Sequence, residues 1–185
     1  MPEHTVIAAW LAEFSRSRKQ IEDALAQLTD DQFRTRLTPG TNSCALIVKH
    51  LAGNMRSRWT DWLTTDGEKP DRNREREFAD EGESRRALVD SLRSGWTLVL
   101  NAVGALTPAD LARTVRIRGE PHTVPQAVER QIAHYAYHAG QIQLIARIVH
   151  GNEGWVWNSV APGQSAAFNQ AMARKFGRED EPRSR

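Results

Sequence analysis

An all-α four-helix bundle is the fold this sequence predicts, and three observations predict it. Four long segments carry apolar residues at alternating steps of three and four. Residues that cap or break helices bound each of them. The connections between them are rich in charge, glycine and proline, and only one short stretch alternates as a strand does. The expected architecture is therefore a bundle with one long crossover connection, a small β-hairpin before the fourth helix and a short C-terminal helix.

In the first segment Ile7, Trp10, Phe14, Ser17, Ile21, Ala24 and Leu28 form one seam, widened by Leu11 and Leu25, over about His4–Leu28. Pro39 and Gly40 in "TPGTN" then break the chain. Cys44, Ile47, Val48, Leu51, Met55, Trp59, Trp62 and Leu63 mark a second helix reaching about Leu63, ahead of Gly67 and Pro70. Asp66–Gly82 has no period and reads as a connection long enough to cross the bundle, so an up-down-up-down order is not required. The third helix follows from Leu88, Leu92, Gly95, Val99, Ala102 and Leu106, with Val89, Trp96 and Val103 beside them. "TPAD" at Thr107–Asp110 combines a cap, a first-turn proline and an acid, so a helical turn starts there.

"RTVRIR" alternates Val115 and Ile117 with charged neighbours, and "GEP" follows, which predicts a hairpin outside the bundle. "TVPQ" at Thr123–Gln126 has capping-box spacing with Pro125 in the first turn. The fourth helix runs from there through Val128, Ile132, Tyr135, Ile142, Ile145 and Val149 to a stop at Gly151. "GNEGWVWNSVAPGQ" holds two of the six tryptophans and should lie over the bundle. "SAAFNQAMARKF" predicts the last short helix, ending at Gly177. Residues 1–177 are thus expected to form one domain, with 178–185, "REDEPRSR", as a flexible tail.

Composition bounds the function. A chain of 185 residues, 39% hydrophobic and 26% charged, is one globular domain with a substantial core. The pI is near 9.0, but the formal net charge is only +2. Arginines alternate with acids, as in "DRNREREFADEGESRR", which describes a solvated surface and no nucleic-acid footprint. A single cysteine, Cys44, excludes an intramolecular disulfide framework and suits a reducing compartment. "MPEHTVIAAWLAEF" lacks the form of a signal peptide, and no stretch approaches the roughly 18 to 20 apolar residues of a membrane span. The expectation is a cytoplasmic protein with no membrane partner.

Chemistry enters with "QIAHYAYHAGQ", Gln131–Gln141, where His134 and His138 stand four residues apart. That is a rise of about 6 Å and one turn, so both rings lie on one helix face within reach of one ion. Of the remaining histidines, His4 is terminal, His122 falls in the hairpin, and His150 stands at a helix end where cations favour the dipole. His50 differs. It sits mid-helix in "IVKHLAGN", beside the apolar face of Ile47, Val48 and Leu51. If the second and fourth helices are neighbours, it meets the other two. Three neutral imidazoles would leave a divalent ion its full charge and an open position, as in catalytic zinc sites. The competing reading is three hydrogen-bonded core histidines, and spacing alone does not separate the two.

"LIVKHLAGNMRSRWTDWLTTDGEKP", "QIAHYAYHAGQIQLIARIV" and "PGQSAAFN" resemble the DinB-like four-helix-bundle superfamily, in a bacterial branch related to the YfiT-like thiol transferases. The resemblance spans about Trp10–Gly177, with one histidine on the second helix and an H-x-x-x-H pair on the fourth, in the expected order. It implies a divalent ion, zinc or nickel, on His50, His134 and His138. It further implies an enzyme that activates a small-molecule thiol such as bacillithiol, mycothiol or glutathione for attack on an electrophilic substrate. The alternatives are a hydrolase that activates water, or a non-catalytic metal-binding stress protein. Bundles of this kind pair through helix faces, so a homodimer is also implied.

Around the triad, Asn54 and Gln141 follow proposed ligands by four and three residues, and either amide could orient a ring, water or substrate. Arg130, one turn before His134, could pair with an acidic thiol, although a solvated arginine explains it as simply. Trp155 and Trp157 could wall a pocket or merely pack. Cys44, six residues and about 240° from His50, reads as a small buried hydrophobe and not as a nucleophile. The "DRNREREF" run could draw anions, but mixed charge of this kind ordinarily faces water.

Overall fold

The computed structural model describes residues 2–177, with side chains from residue 6 onward. The expected tail, 178–185, lies outside the described residues. Helices α1 (Pro2–Ala26), α3 (Cys44–Trp59), α4 (Arg85–Gly104) and α5 (Val124–His150) form the bundle. A short α2 (Asp30–Arg34) follows α1, and α6 (Ser165–Phe176) ends the described chain. Strands β1 (Thr114–Ile117) and β2 (Glu120–Thr123) pair antiparallel just before α5, with Val115 opposite His122. The hairpin tip, Arg118 and Gly119, has both φ positive, at 57° and 79°, the backbone that two-residue hairpins favour.

Local chemistry sets the ends. Ser43 accepts from Leu46 N to start α3, and Ser84 accepts from Ala87 N to start α4. Thr123 and Gln126 close a reciprocal capping box at α5. Two boundaries differ from the sequence reading. The same T-x-x-Q box, Thr29 with Gln32, starts α2, which buries Phe33 completely and was not expected. The second long helix stops at Trp59 rather than Leu63, because Thr60 is extended and Asp61 turns left-handed at φ 47°, yet Trp62 still reaches the core.

The helices run up, down, down, up. Arg85, at the start of α4, donates to Leu25 O and Leu28 O at the end of α1, each at 2.7 Å, so α1 and α4 are antiparallel. Gln32, just beyond α1, donates to Val149 O near the end of α5 (3.1 Å), so those two are parallel. Cys44 opens α3 beside Ile142 and Trp59 closes it beside Tyr135, so α3 opposes α5. Helices α3 and α4 are therefore parallel neighbours. The chain between them must return the length of α3, about 24 Å for its 16 residues. That is the long crossover the sequence predicts, and it is fastened step by step. Ser57 holds Gly67 O and Lys69 N, at 2.9 and 3.0 Å, and Lys49 holds Ala79 O and Glu81 further along. Gly95 lets α4 lie against α3, since a Cβ there would meet Met55 Sδ at 2.9 Å.

Phe14, Leu51, Met55, Trp96, Tyr135 and Ile142 are fully buried, and the Phe14 ring meets both Trp59 and Tyr135 at 5.6 and 5.7 Å. The hairpin is not loose outside this core. Val115 and Ile117 are buried, and Asp66 binds the tip through Arg118 N and Gly119 N at 2.8 and 2.7 Å. Among the described residues no helix is long and apolar enough to cross a membrane.

Candidate metal centre

The helix face that buries Ile47 and Leu51 also buries His50, and antiparallel α5 sets His134 and His138 opposite it. The His134 Nε2 lies 3.3 Å from His50 Nε2 and 3.1 Å from His138 Nε2. All three ligand atoms fall within 4.8 Å of one another. His50 and His138 are buried and His134 is half-buried.

The outer nitrogens fix what the inner ones present. His50 Nδ1 donates to Glu77 Oε2 at 2.8 Å, and a carboxylate only accepts, so in the neutral His50 ring it is Nε2 that carries the lone pair. His138 Nδ1 donates to Gln141 Oε1 at 2.8 Å, while Gln141 Nε2 donates to Tyr137 Oη, so His138 Nε2 carries one too. Two lone pairs thus face His134 Nε2, and a single N–H there can satisfy only one. His134 Nδ1 is buried with no hydrogen-bond partner among the described residues. A cation between the three nitrogens removes this conflict, and neutral imidazoles are the donors that zinc and nickel accept.

Burial first, then the neighbouring imidazoles, pushes His134 down to about 3. His138 is pushed down to about 4 by burial and by His50, against the upward pull of its Gln141 hydrogen bond. Both rings are accordingly neutral, hence ligand-competent, across the physiological range.

The sequence reading missed the group that holds His50. Glu77 comes from a 3₁₀ turn, Glu75–Phe78, in the return segment, and Phe78 stacks on the His50 ring at 4.7 Å. Arg72 grips Glu77 with Nε and Nη2, each at 2.8 Å, and Nη1 reaches Glu68 at 3.1 Å. Glu68 in turn binds Arg58 at 2.7 Å. Burial raises the Glu77 pKa, but the bonds from His50 and Arg72 outweigh it and hold the carboxyl below its ordinary range. The "DRNREREF" run therefore does not simply face water. Arg72 and Glu77 side chains are only 4% and 8% exposed. One trace of this was in the sequence: Gly53, one turn beyond His50, interrupts a helix. A Cβ there would strike the Glu77 carboxyl, with Cδ at 2.8 Å.

The other named residues are dispersed. Asn54 is buried and accepts from Tyr135 Oη at 3.2 Å, with no hydrogen bond to the three rings among the described contacts. Arg130 is half-exposed and held by the hairpin through His122 and Glu120, at 3.1 and 3.3 Å. Trp155 packs on His150 and Trp157 lies under Arg147, at the far end of α5 from the triad. Cys44 is fully buried, and burial pushes its thiol up to about 12.

The chain is similar to a DinB-like protein from Bacillus cereus ATCC 10987, known as a crystal structure. The two are 16% identical with a TM-score of 0.53, over 81% of this chain and 94% of that one. Comparison with curated proteins gives no match. A likeness at this identity concerns the fold, and a buried histidine triad on that fold fits a metal-binding DinB-like protein. Residues 4–164 match the family described as "Protein of unknown function (DUF1572)", and the chain, DinB-like in fold, belongs to that family.

Proposed function

We propose that this protein is a metal-dependent thiol S-transferase in which His50, His134 and His138 hold a divalent cation, zinc or nickel. The observation that carries the reading is the meeting of three Nε2 atoms, where Glu77 and Gln141 turn the lone pairs of His50 and His138 toward His134. When bound, the cation supplies Lewis acidity that lowers the pKa of a small thiol offered to its open side. The residues do the positioning. Glu77 and Gln141 lock two ring tautomers, and Phe78 fixes the plane of His50. Three neutral donors leave the cation's charge undiminished.

The one cysteine does not supply the thiol. Cys44 is buried and held protonated, so it offers no thiolate. A soluble thiol fits that vacancy in the chemistry. Assembly as a homodimer is supported by α5, whose outward face exposes Tyr137, Leu144 and Ile148 at 63%, 61% and 55% on one stripe.

The test is thiol consumption by apo, zinc-loaded and nickel-loaded protein, with glutathione or bacillithiol and a chloro-dinitroarene. In the reaction an S–C bond forms, a C–Cl bond breaks, and the thiol proton passes to solvent. Metal-dependent turnover with a thiol supports the reading. Metal-dependent ester or amide cleavage without thiol turnover would move it to a hydrolase. A loaded protein inert in both assays would leave a non-catalytic metal binder.

A further inference from the structure

We propose that the return segment, residues 66–84, is a strap whose docking on α3 is thermodynamically linked to cation capture by the triad through Glu77. This rests on the metal reading above and adds the regulation of that site.

The strap touches the triad only at His50 among the described contacts, and it does so twice. Glu77 accepts the hydrogen bond from Nδ1 and Phe78 stacks on the ring. His134 and His138 take their contacts from α5 and α3, so strap undocking frees one ligand of three and leaves the other two in place. With Glu77 docked, the proton of His50 is confined to Nδ1 and its Nε2 lone pair faces the other rings. With Glu77 withdrawn, the proton has no acceptor to confine it, and the ligand set is no longer organised.

Glu77 does not act as a loose side chain. Arg72 grips it bidentately, Glu68 joins Arg72 to Arg58 on α3, and Ser57 holds the backbone at Gly67 and Lys69. Movement of the carboxylate is thus movement of the strap. Since docking favours the cation-binding form of His50, a bound cation must favour docking by the same factor. Partners of metal-bound histidines typically contribute 10–100-fold to affinity, which sets the expected size of the linkage.

Hydrogen–deuterium exchange on the full chain, with zinc alone as the probe, reads both ends. In the wild type zinc should slow exchange in 72–83 by about 10–100-fold and protect α5 around His134–His138. Two variants cut the link without touching a ligand. Glu77→Gln removes the charge that Arg72 grips. Gly53→Ala drives a methyl into the carboxyl while improving helix propensity in α3, so its fold should hold. Each should bind zinc about 10–100-fold more weakly, and zinc should no longer protect the strap although it still protects α5. Zinc that protects α5 but leaves 72–83 unchanged in the wild type overturns the linkage and spares the metal reading. Equal zinc affinity in all three proteins overturns it as well. A wild type that takes up no zinc removes the metal reading, and the linkage with it.

Discussion

Helix α5 and the return segment each supply part of one centre, yet they do so by opposite means. Helix α5 brings His134 and His138 on a regular 27-residue helix, whose spacing alone puts both rings on one face. The strap brings Glu77 on a four-residue turn, positioned by Arg72, Glu68 and Arg58 rather than by any repeat. The first arrangement is robust because backbone hydrogen bonds and core packing maintain it. The second depends on buried charges that are stable only together, since breaking one buried pair leaves the other charge unpaired.

The largest effect should therefore come from the strap. Arg72→Ala leaves Glu77 without its cation and should cost about 3–5 kcal/mol in denaturant unfolding, with weaker zinc binding in the same protein. A cost under about 1 kcal/mol would mean that water replaces the guanidinium and the contrast with α5 dissolves.

A defect on α5 should behave differently. Tyr135→Phe removes the acceptor of Trp59 Nε1 and the donor to Asn54 Oδ1, both buried. It should cost about 1–3 kcal/mol and leave zinc affinity within a few-fold of wild type, by calorimetry. Loss of zinc in this variant would show that the core of α5, and not the strap, sets the geometry of the ligands.

The strap's tie to the hairpin gives a pH dependence. Burial raises the Asp66 pKa, but the N–H groups of Glu68, Gly119 and Arg118 outweigh it and keep it below the usual 3.8. A depressed carboxyl stabilises the fold above its unfolded pKa and loses that contribution as pH falls through the folded value. Melting temperatures of wild type and Asp66→Asn should thus differ above about pH 4 and converge as pH falls through the lowered folded value. A constant gap would place the effect outside Asp66 ionisation. The smallest change should be Arg130→Ala, an exposed position whose loss is worth within about 0.5 kcal/mol and no zinc.

What the sequence revealed follows the same division. Periodic apolar residues marked all four bundle helices, and the box of Thr123 with Gln126 marked the start of α5, because both signals are local. The hairpin and the His134–His138 pair were legible for the same reason, whereas His50 joined that pair only through the family resemblance. Glu77 and Arg72 were not, since their burial is decided by a chain reversal along α3 and not by their neighbours in sequence. Arg130 and Asn54 were named by spacing along a helix, which sets a face but not the partner. Arg130 met the hairpin, and Asn54 met Tyr135. Gln141 was named by the same rule and lies against His138.

Zinc content and melting temperature of the wild type, its apo form and His138→Ala, measured side by side, decide whether the triad holds an ion. The wild type should hold one ion per chain, and His138→Ala should lose at least about 100-fold in affinity, beyond what losing an outer partner costs. The apo protein should stay folded, because a core running from Phe14 to Ile142 stands without the ion. Full metal retention in His138→Ala would remove His138 from the site, and an apo protein unfolded at room temperature would make the ion structural.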